Sequence, residues 1–191
     1  MGIGKECATI DLKDLLAFAH KGFPLEHLRQ FTDWAENKVR SGYCNDNLLI
    51  LASLGLDNII DRYEVQSWFD RVISDLNVPI QPTIINIFYY HRYLFKCMMN
   101  ANDNNFLYEL LLEASSYDWD VNNRSWYAIV DFLSEIRTNL FEDSYSDDEF
   151  TYFTRDIFYE ILKSGREEYL RDVSKRLFKF LDNDDNYSLI T

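Results

Sequence analysis

The sequence predicts an all-α protein of about nine helices in a single irregular antiparallel bundle or short solenoid. Three observations lead there. Apolar residues recur at intervals of three and four along most of the chain, the period of one helix face. Only six Gly and three Pro occur in 191 residues, too few for the tight turns of a sandwich or barrel of short strands. Residues that start and stop helices fall at the ends of the periodic runs.

Asp11 can cap a short helix with Leu12, Leu15, Leu16 and Ala19 on one face, and Gly22 ends it. Pro24 suits the first turn of the next helix, where Leu25, Leu28, Phe31, Trp34, Ala35 and Val39 recur until Gly42. The apolar stretch from Leu48 to Leu56 follows Asn45 and breaks at Gly55, and its length favours a buried helix over a strand. Asp61 and Glu64 read as a capping box opening a helix whose stripe is Val65, Trp68, Phe69, Val72, Ile73 and Leu76. Asn77, Pro79 and Pro82 stop it.

From Thr83, Ile84, Ile87, Phe88, His91, Leu94, Phe95 and Met98 form another apolar face, ended by the polar run Asn100 to Asn105. A shorter helix follows with Phe106, Leu107, Leu110, Leu111 and Ala114. After the loop Ser115 to Asn123, Trp126, Ile129, Val130, Leu133, Ile136 and Leu140 face a core. Ser146 and Glu149 form a second box before Phe150, Phe153, Ile157, Ile161 and Leu162, with a stop at Ser164-Gly165. The last helix packs Tyr169, Leu170, Val173, Leu177 and Leu181, and residues 182–191 read as a polar tail. No fixed-period repeat, low-complexity linker or break in composition divides the chain, so one domain over residues 1–191 is expected.

Apolar residues make up 47% of the chain and 31 residues are aromatic, enough to build a core despite a net charge of −13. The N-terminus lacks the basic-then-apolar pattern of a secretory signal, and no run approaches the ~20 apolar residues of a membrane span. A cytoplasmic location is expected. Cys7, Cys44 and Cys97 are odd in number and form no C-x-x-C, which points to reduced, partly buried thiols.

The charge is regional. Residues 97–160 carry 14 acidic and three basic side chains, a net of −11, while the flanking parts are nearly balanced. Helical spacing puts Asp131, Glu135 and Glu142 on one outward stripe, and Glu149, Tyr152, Asp156 and Glu160 on another. Asp143, Asp147 and Asp148 lie in the loop between. Like charges at this spacing cost an isolated helix a few tenths of a kcal/mol per pair, so the stripes call for a reason. The preceding loop, Tyr117-Asp118-Trp119-Asp120, interleaves two aromatic residues with two carboxylates, the mixture of anchor and charge that favours interfaces. Together these residues form a candidate face for a basic partner. A solvated face kept acidic for solubility, or neutralised in part by Arg171, Lys175 and Lys179, is the plainer reading.

Motifs for chemistry are sparse. His20, His27 and His91 have no metal-ligand spacing, and neither a Walker A loop nor a G-x-G-x-x-G is present. His91 on an apolar face reads as a hydrogen-bonded core residue. Cys97 and His91, six apart on one helix, point in different directions and make a poor nucleophile–base pair. Asp118 to Asn122 begins like a calcium loop but lacks its Gly and its final Glu. Glu109 with Glu113, and Glu167-Glu168, fall short of the paired elements of a Mg²⁺-dependent hydrolase. Direct binding of nucleic acid is disfavoured by the sign of the charge. No enzyme, cofactor or membrane role is expected.

Trp34-Ala35-Glu36, Leu51-Ala52-Ser53-Leu54-Gly55-Leu56, Tyr63-Glu64-Val65 and Trp68-Phe69 make residues 25–77 resemble small bacterial helical proteins of uncharacterised function. In size, acidity and helical content the whole chain is similar to immunity proteins, which neutralise cognate toxins, often basic nucleases. That resemblance implies occlusion of a toxin by the acidic residues above, with Tyr117, Trp119 and Tyr152 as anchors. The alternatives are a general helical interaction scaffold with an apolar groove, using Phe88, Tyr89 and Tyr90, and the metal-dependent hydrolase.

Overall fold

The computed structural model describes residues 10–43, 45–116, 123–141, 160 and 163–190. Among them the protein is all-helical, without a strand. Apart from the first eight residues, it divides into two compact units, Thr9–Tyr90 and His91–Thr191. The boundary falls inside one continuous helix, Thr83–Asn100, so neither a linker nor a change of composition marks it in the sequence.

The first unit holds α1 (Leu12–His20), a 3-10 turn (Leu25–His27), α2 (Leu28–Arg40), α3 (Asp46–Ser53), a second 3-10 turn (Leu54–Leu56), α4 (Arg62–Asp75) and the start of α5 (Thr83–Asn100). Local chemistry sets the ends. The Asp11 carboxylate accepts from the N–H groups of Lys13 and Asp14 at 3.0 and 3.2 Å, and Asp14 accepts from the Asp11 N–H at 3.0 Å, closing a reciprocal box. At α4 the cap is one-sided, Asp61 accepting from Tyr63 and Glu64. Gly22, Gly42 and Asn77 end α1, α2 and α4 in the left-handed region. After them the N–H groups of Phe23, Tyr43 and Val78 reach back to the carbonyls of Phe18, Lys38 and Ile73, three Schellman closures.

The core of this unit is aromatic. Phe31 meets Phe69 edge-on with ring centroids 4.8 Å apart, Phe23 lies 5.0 Å from Phe31, and Trp34 closes on Phe69 at 6.2 Å. Burying each ring contributes ~2–3 kcal/mol. That burial is what can hold Phe23 at φ +55°, a conformation non-glycine residues seldom adopt. Leu25 departs from the expected stripe: it is 72% exposed, because it sits on the 3-10 turn, whose three residues per turn rotate it away from Leu28, Phe31 and Trp34. The segment Leu48 to Leu56 is half-buried rather than a buried helix, with Leu48 and Leu51 inside and Leu49 and Leu56 outside.

The second unit holds the rest of α5, then α6 (Asn104–Ala114), α7 (Arg124–Phe141), α8 (Arg166–Asp182) and the short α9 (Tyr187–Ile190). Asp103 caps α6 and Asn123 caps the start of α7, each accepting a backbone N–H three residues on. Gly165, at φ +89°, opens α8. Helix α6 packs against α7, and α9 also reaches α7. After Asp182 the chain turns back: the Tyr187 hydroxyl and the Asn186 amide donate to the carbonyls of Leu181 and Phe180, and Tyr187 is buried.

Every residue of α5 from His91 to Met98 is buried, not just one face. The Arg92 guanidinium donates to Asp182 at 2.7 and 2.9 Å and lies 5.1 Å from the Phe178 ring. Cys97 is disulfide-bonded, which corrects the expectation of reduced thiols. The chain's other cysteines, Cys7 and Cys44, lie outside the described residues.

Candidate partner-binding face

Of the acidic face the structure describes Asp131 and Glu135, on α7, and Glu160, which lies outside that helix. Trp126, Val130, Leu133 and Ile136 are buried on one side, with the Trp126 ring edge-on to His91 at 4.2 Å. Asp131 is exposed and Glu135 half-exposed, four residues apart on the outward side, as the spacing predicts. The other candidates lie outside the described residues: Tyr117, Asp118, Trp119, Asp120, Glu142, Asp143, Asp147, Asp148, Glu149, Tyr152 and Asp156.

The basic stripe of α8 does not behave as a simple counter-face. Arg171 donates to the Ala101 carbonyl at 3.0 and 3.1 Å and to the Asn104 side chain at 3.2 Å, closing the turn between α5 and α6. Lys175 and Lys179 are exposed. Beside Arg171, the Tyr108 hydroxyl donates to Glu167 at 2.7 Å. Burial, and then the Glu167 carboxylate, push that phenol up to about 12, and the same hydrogen bond holds Glu167 below the usual carboxylate range.

Residues considered for chemistry have structural roles. The Nε2–H of His91 donates to the Ala114 carbonyl at 3.1 Å, since a carbonyl can only accept. The disulfide removes Cys97 as a partner nucleophile. Among the described residues, no group of three or more His, Cys, Asp or Glu side chains is placed to hold a metal ion. Phe88, Tyr89 and Tyr90 do not line a groove: all three are buried, and Lys21 covers the Tyr90 ring with its ammonium 3.6 Å from the centroid.

Two features escaped the sequence. The first is a cavity of about 470 Å³ where Phe132 of α7, Glu160, and Glu168, Tyr169, Asp172, Val173 and Arg176 of α8 come together. Burial, followed by the nearby Glu160 charge, raises the Tyr169 phenol above its ordinary value. The second is the exposed apolar turn after α3, with Leu56 87% and Ile59 88% exposed. The Arg29 guanidinium holds this turn by donating to the Gly55 carbonyl at 2.7 Å. Helical periodicity signals neither feature, since it places Tyr169 and Leu56 in a core.

No family model, curated protein or solved structure matches the chain.

Proposed function

We propose that this is a protein-binding protein of the immunity type, which neutralises a basic toxin by covering its active surface. The observation that carries the reading is the net charge of −11 in residues 97–160, with Asp131 exposed on the side of α7 away from its buried Trp126 stripe. A field of that sign raises the encounter rate with a basic protein and opposes contact with a phosphate backbone. Bacterial origin belongs to the same proposal. Its place of action is argued by Cys97, because disulfides persist in oxidising compartments, which weighs against the cytoplasm.

The test is capture of a partner from the producing cell by the immobilised full chain and by an Asp131→Lys/Glu135→Lys variant. The wild type should retain a basic protein, release it at ~0.5 M salt and inhibit its activity, and the variant should bind it at least about tenfold more weakly. Equal capture by the variant, with no release by salt, would remove the acidic face from the account. A general helical interaction scaffold is the second reading, supported by the exposed Leu56 and Ile59. Its complexes should resist salt and weaken on Leu56→Ser/Ile59→Ser substitution.

A further inference from the structure

The cavity between α7 and α8 has the build of a site for one side chain. Its inner wall is Val173, which is buried, with the half-buried rings of Phe132 and Tyr169 beside it. Its rim carries the exposed carboxylates of Glu160, Glu168 and Asp172. Arg176 also lines the cavity and pairs with Asp172, so these two charges offset each other. Glu160 and Glu168 make no ion pair among the described residues, so the rim keeps an excess of negative charge over a wall of rings.

That combination selects one kind of occupant. An apolar ligand would leave two carboxylates to be desolvated, and an anion would be repelled by them. A long cationic side chain satisfies both parts: its methylenes lie along Val173 and the rings, while its head meets the carboxylates. The planar guanidinium suits this better than an ammonium, because it stacks on aromatic faces and forks onto a carboxylate.

We propose that the cavity lined by Phe132, Tyr169 and Val173 and rimmed by Glu160 and Glu168 receives an arginine side chain of the basic partner, as its anchor. The inference rests on the acidic-docking reading above and deepens it. Bound there, the arginine places the partner's basic surface against α7 and α8, and neutralises the two rim carboxylates.

The test is a titration of the full chain, followed by its backbone amide NMR shifts, with Nα-acetyl-arginine amide and with the neutral isostere Nα-acetyl-citrulline amide. Saturable shifts are expected at Phe132, Ser164, Tyr169 and Val173, at least about fivefold weaker in affinity for the citrulline compound. The Glu160→Gln/Glu168→Gln variant should lose the preference while keeping the remaining spectrum. Equal affinity for the two probes, shifts centred elsewhere, or an unchanged preference in the variant would overturn the proposal. If the arginine probe misses the cavity while Asp131→Lys/Glu135→Lys still abolishes capture, the anchor falls and the acidic face stands. If the probe binds but charge reversal leaves capture intact, the docking reading falls, and with it the cavity's role as anchor.

Discussion

His27 and His91 are both buried, and their surroundings give them different work. His91 spends its Nε2 proton on the Ala114 carbonyl and its ring on Trp126, so it fixes the junction of α5, α6 and α7. His27 stacks on Phe18 with ring centroids 4.0 Å apart and nearly parallel planes. Burial is the largest influence on its pKa and lowers it, against the opposing pull of Glu26. The folded-state pKa therefore lies below the unfolded one, and the neutral ring's contribution is fully present above the unfolded value. It is lost as the pH falls through ~6.5 towards the lowered folded value. Thermal melts between pH 7.5 and pH 5.5 should show a drop in Tm that shrinks in His27→Phe, which keeps the stack on Phe18 and cannot titrate. Parallel pH dependence in the two proteins would show that His27 contributes nothing to acid sensitivity.

At the level of the element, two glycines that look alike in sequence do different things. Gly42 ends α2 at φ +95°, and a methyl group added to it would meet no atom within 4 Å, so its value is conformational freedom. Gly55 is not left-handed. A Cβ there would lie 2.9 Å from the Thr32 hydroxyl oxygen and 3.1 Å from its Cβ, so its value is the close approach of the 3-10 turn to α2. Gly42→Ala should cost ~1 kcal/mol through backbone strain alone. Gly55→Ala should cost ~1–3 kcal/mol through overpacking and should also disturb the Arg29 bond to the Gly55 carbonyl. Urea denaturation of the two variants measures the costs, and amide shifts of Arg29 and Thr32 should move in Gly55→Ala and stay put in Gly42→Ala. A reversed pattern of shifts would sink the distinction.

At the level of the whole molecule, acidity and cross-linking are the features that set behaviour. The net charge of −13 is carried almost wholly by one third of the sequence, and of its described carboxylates Asp131 is exposed and Glu135 half-exposed on α7. Cys97 on α5 is disulfide-bonded, a state that odd cysteine number and wide spacing do not suggest. Thiol labelling of the protein unfolded without reductant should find one free cysteine per chain, and three after reduction. Three adducts before reduction would show that the thiols are reduced, and would remove the disulfide from the account.

Much of the secondary structure was legible because it is local. Asp11, Asn45 and Asp61 cap where their side chains can reach their own backbone, and Gly22 and Gly42 stop helices for a conformational reason a single residue carries. The acidic stripe on α7 was equally legible, since three- and four-residue spacing fixes which side chains share a face. Long-range partners were not. That Arg92, Tyr93 and Lys96 are buried with the apolar side of α5 depends on elements such as Asp182, ninety residues away. That Arg171 serves the turn at Ala101, and that Phe132 meets Tyr169 around a cavity, follow from the packing of distant helices. Periodicity records which face of a helix is apolar; it does not record what arrives to cover the others.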